Sequence, residues 1–340
     1  MTAVPPPAGS ADPGIPWHHG DPLREQRALA EGRASVDLSN RGVVTVTGPD
    51  RLTWLTDLCT QVLTGLAPGD SALALILSPH GHVEHELHVV DDGETTWLVV
   101  QPGTAESLAA YLRSMQFMLR VEVADRSDAY AVVWEPVREV DPGAPTWLVP
   151  ADFAGVGQVD SGSDRGGDAT KYVGDRPAVL GGREVIVPRT ELPARLAASE
   201  PAGSWALEAL RVAAAVPRLG LETDHRTLPH EVGWIGPGVH LAKGCYRGQE
   251  AVARVHNLGH PPRRLVLLHL DGSDEQLPAH GDAVIVDGRE VGWVGTAAWH
   301  YELGPIATAV VKRSTPPTAE ALVRTAQGDV AATQETVVLP

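Results

Sequence analysis

The sequence contains few cysteines, and this shortage excludes two classes of protein. Only Cys59 and Cys245 occur among its 340 residues. Two thiols are too few for a disulfide scaffold and too few for a self-contained four-cysteine metal site. Because such a chain suits a reducing compartment, we expect a cytoplasmic protein.

Basic side chains are also scarce. The chain has 27 Lys and Arg residues against 43 Asp and Glu residues, which gives a formal net charge of −16. Negative charge of this size, spread over the surface, repels phosphate groups. We therefore expect no direct nucleic-acid partner.

Long apolar runs are missing as well. No uncharged apolar run approaches the roughly 20 residues needed to cross a bilayer. The N-terminus lacks the basic segment and the apolar stretch of a signal peptide, and it is rich in Pro, Gly and Ala instead. We expect a soluble protein with no membrane partner and a disordered tail over residues 1–20.

The rest of the chain mixes strands of period two with amphipathic helices, a pattern that predicts an α+β fold. Residues 71–77 and 83–90 are predicted strands, residues 204–216 a predicted helix, and the short strands after Pro262 predict a small β-barrel. We predict a tail (1–20), an N-terminal α+β lobe (21–125), a second α+β lobe (126–260), a β-barrel (261–313) and a second tail (314–340).

The predicted strand 83–90 has two unlike faces. Alternation places His85 with Val83 and Leu87 on a face that points inward. The other face carries four residues of metal-ligand type, His82, Glu84, Glu86 and His88. Alternate residues of one strand lie roughly 6–7 Å apart, so four of them cannot converge on one ion. We expect a solvated strand face and no metal site.

The strongest local feature is residues 243–250, with the sequence KGCYRGQE. Cys245 lies between two glycines, with Lys243 and Arg247 close by and a predicted helix start at Gln249. Nearby cations and a helix N-terminus both favour the thiolate form of a cysteine. Cys245 is therefore a candidate reactive or transiently ligating thiol, and the alternative is a buried, inert cysteine in a glycine-rich turn.

Residues 243–264 carry five basic side chains and one acidic one in an otherwise acidic chain. A local basic surface of this kind receives an anionic ligand or a protein partner. The alternative is a solvated face that only balances acidic groups elsewhere.

KGCYRGQE closely resembles the signature of the YgfZ family, the folate-binding, iron-sulfur-related branch of the glycine-cleavage T-protein superfamily. The resemblance extends over residues 21–313. Residues 36–50 resemble the N-terminal segment of the superfamily, residues 210–224 its second-lobe helix and the strand after it, and residues 303–311 the end of its C-terminal barrel.

This resemblance implies a three-lobed T-protein-like ring, with two α+β lobes and a small C-terminal β-barrel around a central cavity. It implies tetrahydrofolate, or a one-carbon derivative, as cofactor. It also implies iron-sulfur client or assembly proteins as partners, and a role in assembly, insertion or repair of [4Fe-4S] clusters in enzymes that include tRNA-modifying ones. Arg211 matches the arginine that lies against the folate. The matched motif adds Lys243, Tyr246, Arg247, Gln249 and Glu250 as binding-site candidates.

Two departures separate the chain from true aminomethyltransferases, which it otherwise resembles. Those enzymes carry an Asp-Asp pair where this chain has His85 and Glu86, and Leu180 stands where they have a folate-binding glutamate. An imidazole carries protons near neutral pH but is not a fixed carboxylate. We therefore do not expect this chain to be a true aminomethyltransferase. A folate-dependent aminomethyltransferase or demethylation enzyme, with His85 as its proton carrier, is the alternative function.

Cys59 lies on an apolar helix face beside Leu55 and Leu58, which predicts a core position. Iron-sulfur clusters normally take four protein ligands. With Cys245 as the remaining thiol, we expect no stably bound iron-sulfur cluster.

Overall fold

The structure is a computed structural model that describes residues 2–154, 178–258, 260–273 and 276–340. Its helices are α1 (Pro22–Ala30), α2 (Arg51–Leu58), α3 (Ala105–Met115), α4 (Ala151–Ala154), α5 (Leu192–Leu196), α6 (Ser204–Ala213) and α7 (Gln249–Leu258). Within these ranges, no helix has both the length and the apolar character needed to cross a membrane.

The strands form two open sheets and one closed barrel. The first ten are β1 (Ala34–Asp37), β2 (Gly42–Thr47), β3 (Ser71–Leu77), β4 (Val83–Asp91), β5 (Thr95–Val100), β6 (Glu122–Asp125), β7 (Tyr130–Glu135), β8 (Thr146–Leu148), β9 (Arg183–Pro188) and β10 (Glu200–Ala202). The other six are β11 (Arg263–Leu270), β12 (Ala283–Val286), β13 (Arg289–His300), β14 (Gly304–Lys312), β15 (Ala321–Thr325) and β16 (Gly328–Thr336).

The first sheet has the order β3-β4-β5-β2-β6, and it is buried on both faces. One face packs against α2 and α3, through residues such as Leu87 and Val89 of β4. The opposite face, which includes Leu73 and Leu75 of β3, joins the large central core. Because neither face of β4 is turned wholly to water, the polar residues Glu86 and His88 of this strand lie inside the protein.

The second sheet has the order β10-β1-β7-β9-β8. Strand β1 pairs in parallel with β10 and antiparallel with β7, although it comes from the stretch predicted to build the N-terminal lobe. The chain therefore enters the second sheet first and then crosses into the first sheet at β2. The predicted boundaries between the lobes stay a prediction.

The C-terminal barrel is closed by six strands in the order β11-β14-β13-β12-β15-β16. The last two strands lie in residues 314–340, which we expected to be a tail, and that expectation is wrong. Strand β15 pairs with β12 and β16 pairs with β11, so both are needed for closure. Side chains alternate along β15, with Ala321 and Val323 buried, as closure requires.

The expectation of a disordered N-terminal tail is also corrected. Ile15 is buried in the central core, and the ring of Trp17 stacks on Trp205 with centroids 5.5 Å apart. Asp12 is 3% exposed and forms an ion pair with Arg218. A few anchoring contacts order this Pro- and Gly-rich segment, which composition alone does not reveal.

Candidate functional site

A cavity lies where the two sheets and α6 meet. Its walls combine aromatic rings, including Trp134 and Trp147, with buried charged groups. The charged groups that line it are Arg41, Glu86, His88, Glu184, Glu208, Arg211 and Arg218.

Strand β4 directs Glu86 and His88 towards this cavity. Glu86 lies opposite Leu75 and His88 lies opposite Leu73 in the register with β3, and both leucines belong to the central core. Glu86 is 5% exposed and His88 is 8% exposed. The expectation that this face is solvated is therefore wrong for these two residues, because the second lobe covers it.

His85 faces the opposite way. It pairs in register with Ile76, whose side chain packs in the core beneath α2 and α3. Its ring lies 6.2 Å from that of Tyr111 on α3, and burial lowers its pKa. The side chain does point inward, but it points into the helix layer and not into the cavity. The cavity residue of the His85-Glu86 pair is Glu86.

Glu86, His88 and Glu184 form one buried cluster. The Nδ1 atom of His88 lies 2.7 Å from a carboxylate oxygen of Glu184, and its Nε2 atom lies 3.7 Å from Glu86. The imidazole stacks on Trp147 with ring centroids 3.7 Å apart. Gln101 and the backbone N–H of Leu219 donate hydrogen bonds to Glu86. The cluster holds a carboxylate and an imidazole in defined positions on the cavity wall.

The charged forms of Glu86, His88 and Glu184 stabilise one another. Burial alone would lower the pKa of His88, but the two glutamates outweigh it and raise that pKa to about 9. Burial likewise opposes ionisation of Glu86 and Glu184, yet His88 keeps the pKa of each carboxyl below its ordinary value. At neutral pH the cavity therefore carries an imidazolium between two carboxylates.

Arg211 lines the cavity, but its N–H groups are engaged inside the protein. Its guanidinium donates to both carboxylate oxygens of Glu208, to Glu222, to Thr296 Oγ1 and to the carbonyl of Val216. Glu222 also accepts from Thr296 and from Thr308 of the barrel. Arg211 thus joins α6 to the barrel, and this arrangement leaves it no free donor to offer as the predicted folate partner.

Arg218 is a second engaged cation of the cavity wall. It donates to both oxygens of Asp12 and to Gln101 Oε1, and its Nη1 lies 3.2 Å from Glu208. Burial alone would lower its pKa, but the charges of Glu208 and Asp12 raise it. The N-terminal segment is therefore attached to the cavity wall through Asp12.

Arg41 differs from both. It is 7% exposed, and among the described residues its Nε and Nη1 atoms have no hydrogen-bond partner. Burial and the charge of Arg218 lower its pKa, although Glu184 pulls in the other direction. The cavity therefore contains a guanidinium with unused donors.

The predicted motif residues lie on the loop before α7 and in its first turn, and three of them hold this loop in place. Lys243 Nζ donates to the carbonyls of Thr56 and Cys59 at the end of α2, and it lies 4.8 Å from the ring centre of Tyr246. Burial raises the pKa of Tyr246 to about 12. Gln249 donates to the carbonyl of Lys243. These side chains attach the loop to the first lobe.

Cys245 itself is exposed, which removes the alternative of a buried cysteine. Cys59 is 1% exposed, as predicted, and burial raises its pKa to about 11. Helix α7 starts at Gln249, as predicted. The thiol of Cys245 is thus accessible to a partner, whereas that of Cys59 is not.

The basic residues of 243–264 do not form one surface. Arg247 forms an ion pair with Glu84 at 3.0 Å, and Arg254 pairs with the exposed Glu250 at 3.1 Å. Arg263 is bound by Asp224 and Glu231, and Arg264 is buried inside the barrel. The expectation of a basic docking surface is corrected, since acidic partners or burial take up these charges.

Within the described residues, no cluster of three or more His, Cys, Asp or Glu side chains has metal-site geometry.

Two family descriptions match separate parts of the chain. The GCVT N-terminal domain matches residues 16–134, and the glycine cleavage T-protein C-terminal barrel domain matches residues 263–338. A fold with two α+β lobes, a closed C-terminal barrel and a central cavity agrees with both. These features define a protein of the aminomethyltransferase class of folds.

Several relatives resemble the chain over most of its length. An aminomethyltransferase of Geobacillus kaustophilus is 30% identical over 296 residues, which are 81% of this chain and 78% of that protein. An aminomethyltransferase of Rubrobacter xylanophilus is 29% identical over 328 residues, which are 91% and 84% of the two chains. The chain belongs to the glycine cleavage T-protein superfamily.

A solved structure shares the fold. The glycine cleavage system aminomethyltransferase T from Bartonella henselae superposes with a TM-score of 0.73 at 18% identity, covering 98% of this chain and 92% of that one. The three-lobed fold with its six-stranded barrel is therefore confirmed.

Sequence reasoning missed Arg41, Glu184 and Arg218 of the cavity wall, and also Asp12, which pairs with Arg218. For Glu184 a signal was available, because it alternates with Ile186 on β9, and Ile186 belongs to the central core. The other three lie outside regular strands and helices, where no periodicity shows the direction of a side chain.

Proposed function

We propose that this chain is a member of the YgfZ branch of the superfamily. It binds tetrahydrofolate, or a one-carbon derivative, in the central cavity, and it supports assembly, insertion or repair of [4Fe-4S] clusters in cytoplasmic client enzymes. The observation that carries the proposal is the combination of an aromatic-walled cavity between the lobes with an exposed cysteine in the KGCYRGQE loop.

The composition of the cavity fits a reduced folate. Trp134 and Trp147 offer flat apolar walls for a pterin or benzoyl ring, and Glu86 and Glu184 offer carboxylate oxygens for its N–H groups. Arg41 offers donors for its acceptors. A bound folate would supply a nitrogen pair that carries one-carbon units, and the residues of this chain would bind and orient it.

The loop supports the second half of the proposal. Lys243 and Gln249 fix the loop from within, while Cys245 stays exposed beside the start of α7. A single accessible thiol suits transient ligation of iron or thiol exchange with a client protein, rather than storage of a cluster.

Folate binding is tested by titrating the purified protein with tetrahydrofolate and following tryptophan fluorescence, since Trp134 and Trp147 line the cavity. We expect saturable quenching and a raised melting temperature. Glu86→Gln should weaken binding, while Glu106→Gln, at an exposed position on α3, should not. If no reduced folate binds the wild type, the cavity half of the proposal is wrong.

The cluster role is tested in cells that lack the protein, through the activity of a [4Fe-4S] tRNA methylthiotransferase. We expect rescue by the wild type and by Gly244→Ala, which changes the same loop at a position with open space around it. We expect no rescue by Cys245→Ser. Equal rescue by Cys245→Ser would remove the thiol from the mechanism.

A second candidate function is transfer of an aminomethyl group to tetrahydrofolate. The observation that favours it is Glu86, a buried carboxylate that faces the cavity and keeps a negative charge at neutral pH, because His88 holds its pKa low. A fixed carboxylate stabilises positive charge that develops on a folate nitrogen. Several relatives are named aminomethyltransferases.

This candidate demands turnover. With an aminomethyl donor and tetrahydrofolate, the protein should release ammonia and form 5,10-methylenetetrahydrofolate. Glu86→Gln should abolish the product, whereas His85→Ala should retain it, because His85 faces the helix layer. Absence of product under excess donor would exclude the transferase.

A further inference from the structure

Among the residues that the structure describes, Arg41 is a cation of the cavity wall with hydrogen-bond donors that the protein does not use. Arg211 and Arg218 donate to several carboxylates and carbonyls each. Arg41 is equally buried, but its Nε and Nη1 atoms lack hydrogen-bond partners among the residues that the structure describes. Buried guanidinium groups are normally paired, because an unmade hydrogen bond inside a protein is costly.

The backbone holds Arg41 in this position. It is the last residue of the four-residue link between β1 of the second sheet and β2 of the first sheet. Its backbone N–H donates to the carbonyl of Leu38, whose own N–H donates to Val132 in β7. A link tied to both sheets directs the guanidinium into the cavity between them.

The charges around Arg41 leave it incompletely compensated. Asp12 is engaged by Arg218, and Glu86 and Glu184 are engaged by His88. These carboxylates attract Arg41 across the cavity, but their influence is weaker than the effects of burial and of Arg218, which together lower its pKa. A ligand group that accepts a hydrogen bond from Nε or Nη1 of Arg41 would be stabilised there.

We propose that Arg41 binds a carboxylate of the cavity ligand through one of its unused donors, Nε or Nη1. The ligand class is a carboxylate-bearing molecule, and two sources share this chemistry: the glutamyl group of a folate and an amino-acid one-carbon donor. This inference rests on the proposed function, since it names the group that the same cavity recognises. A guanidinium binds a carboxylate with charge-assisted hydrogen bonds, often in pairs.

The experiment compares the wild type with Arg41→Met, which keeps much of the side-chain length and removes charge and donors. Arg24→Met, at an exposed position on α1, is the control. Ligand binding is followed by tryptophan quenching and by the shift in melting temperature. The ligands are tetrahydrofolate, tetrahydropteroate, which lacks the glutamyl group, and N-methylglycine.

If the glutamyl group is the source, Arg41→Met weakens tetrahydrofolate binding about 10- to 100-fold and leaves tetrahydropteroate binding unchanged, as expected for loss of a hydrogen bond between charged groups. If an amino-acid donor is the source, the wild type binds N-methylglycine and Arg41→Met does not, while both folates are unaffected. Arg24→Met should match the wild type in every case.

Stability of the ligand-free protein separates a binding role from a structural one. A cation kept for a ligand makes little net contribution to folding, so ligand-free Arg41→Met should melt no lower than the wild type. A clear fall in melting temperature without ligand would assign Arg41 to the fold and overturn the inference.

Two further outcomes would also overturn it. Equal weakening of tetrahydrofolate and tetrahydropteroate would place Arg41 against the ring, and unchanged affinity for all three ligands would remove it from recognition. In both outcomes the wild type still binds folate, so the proposed function stands. Failure of the wild type to bind any reduced folate refutes the proposed function instead, and the N-methylglycine arm then tests Arg41 by itself.

Discussion

Asp12 and Arg218, 206 positions apart in the sequence, are joined by two charge-assisted hydrogen bonds of 2.6 and 2.7 Å. Both side chains are buried, and Arg218 also reaches Gln101 of the first lobe. This pair attaches the N-terminal segment to the wall of the cavity. Its removal would leave a buried cation without its main partner.

We predict that Asp12→Asn destabilises the protein by about 3 kcal/mol, near the lower end of the range for breaking buried ion pairs, because Glu208 still contacts Arg218. Urea denaturation measures the change. Asp329→Asn is the control, since Asp329 pairs with the exposed Arg324 and its loss should hardly move the midpoint. Equal midpoints for Asp12→Asn and the wild type would contradict the prediction.

The imidazolium of His88 predicts a pH-dependent stability. The pKa rises from 6.5 to about 9 on folding, so the stabilisation is complete below about pH 6.5 and is lost as the pH rises through about 9. A shift of this size corresponds to on the order of 3 kcal/mol. The free energy of unfolding should therefore fall between pH 7 and 9.5 in the wild type.

His88→Gln provides the comparison, because glutamine does not titrate. The difference in unfolding free energy between wild type and His88→Gln should shrink towards pH 9.5. His85→Gln, on the same strand, is the matched control: burial lowers the pKa of His85, so its replacement should not alter this alkaline dependence. A difference that stays constant with pH would show that His88 is neutral in the folded protein.

The two glycines of the octapeptide should differ sharply. Gly248 has a φ of +83°, and a Cβ there would lie 2.5 Å from the carbonyl oxygen of Ser78 and 2.9 Å from Gly81. Gly244 has open space around it. We predict that Gly248→Ala costs about 2 kcal/mol or more, from the left-handed backbone plus the clash, and that Gly244→Ala is nearly neutral. Thermal or urea unfolding of both variants measures this, and similar losses would refute the close approach of the loop to the β3–β4 turn.

Thiol accessibility distinguishes the two cysteines. A thiol reagent should modify one thiol per native chain rapidly and the second only after unfolding, because Cys245 is exposed and Cys59 is buried with a raised pKa. Cys245→Ser should abolish the rapid phase. Rapid labelling of two thiols in the native wild type would show that the first lobe opens easily around α2.

Local sequence patterns were sufficient to predict strands, helices and the fold class. Residues 71–77 were predicted as a strand and form β3 over the same residues, and the helix predicted to begin at 204 is α6. Alternation and helical periodicity depend on neighbouring residues, so one chain segment carries enough information for them. The octapeptide and three weaker matches were sufficient for the superfamily.

The two-residue alternation along a strand shows which residues share a face, but it does not show what covers that face. His85 and Glu86 were correctly placed on opposite faces of β4, yet the cavity lies on the Glu86 side because the second lobe packs there. For the same reason His88 was expected in water and is instead held by Glu184, from a strand nearly a hundred positions away.

The sequence by itself determined the class of fold and the positions of most strands and helices. It left two alternatives for Cys245, a reactive thiol or a buried, inert one. The tertiary structure decided which charged groups meet: Asp12 with Arg218, and His88 with Glu184. It also left Nε and Nη1 of Arg41 without a hydrogen-bond partner among the described residues. These relationships depend on the packing of distant segments around one cavity. Burial there strengthens each pairing and raises the cost of each unpaired polar group. No local sequence pattern records which distant segments meet.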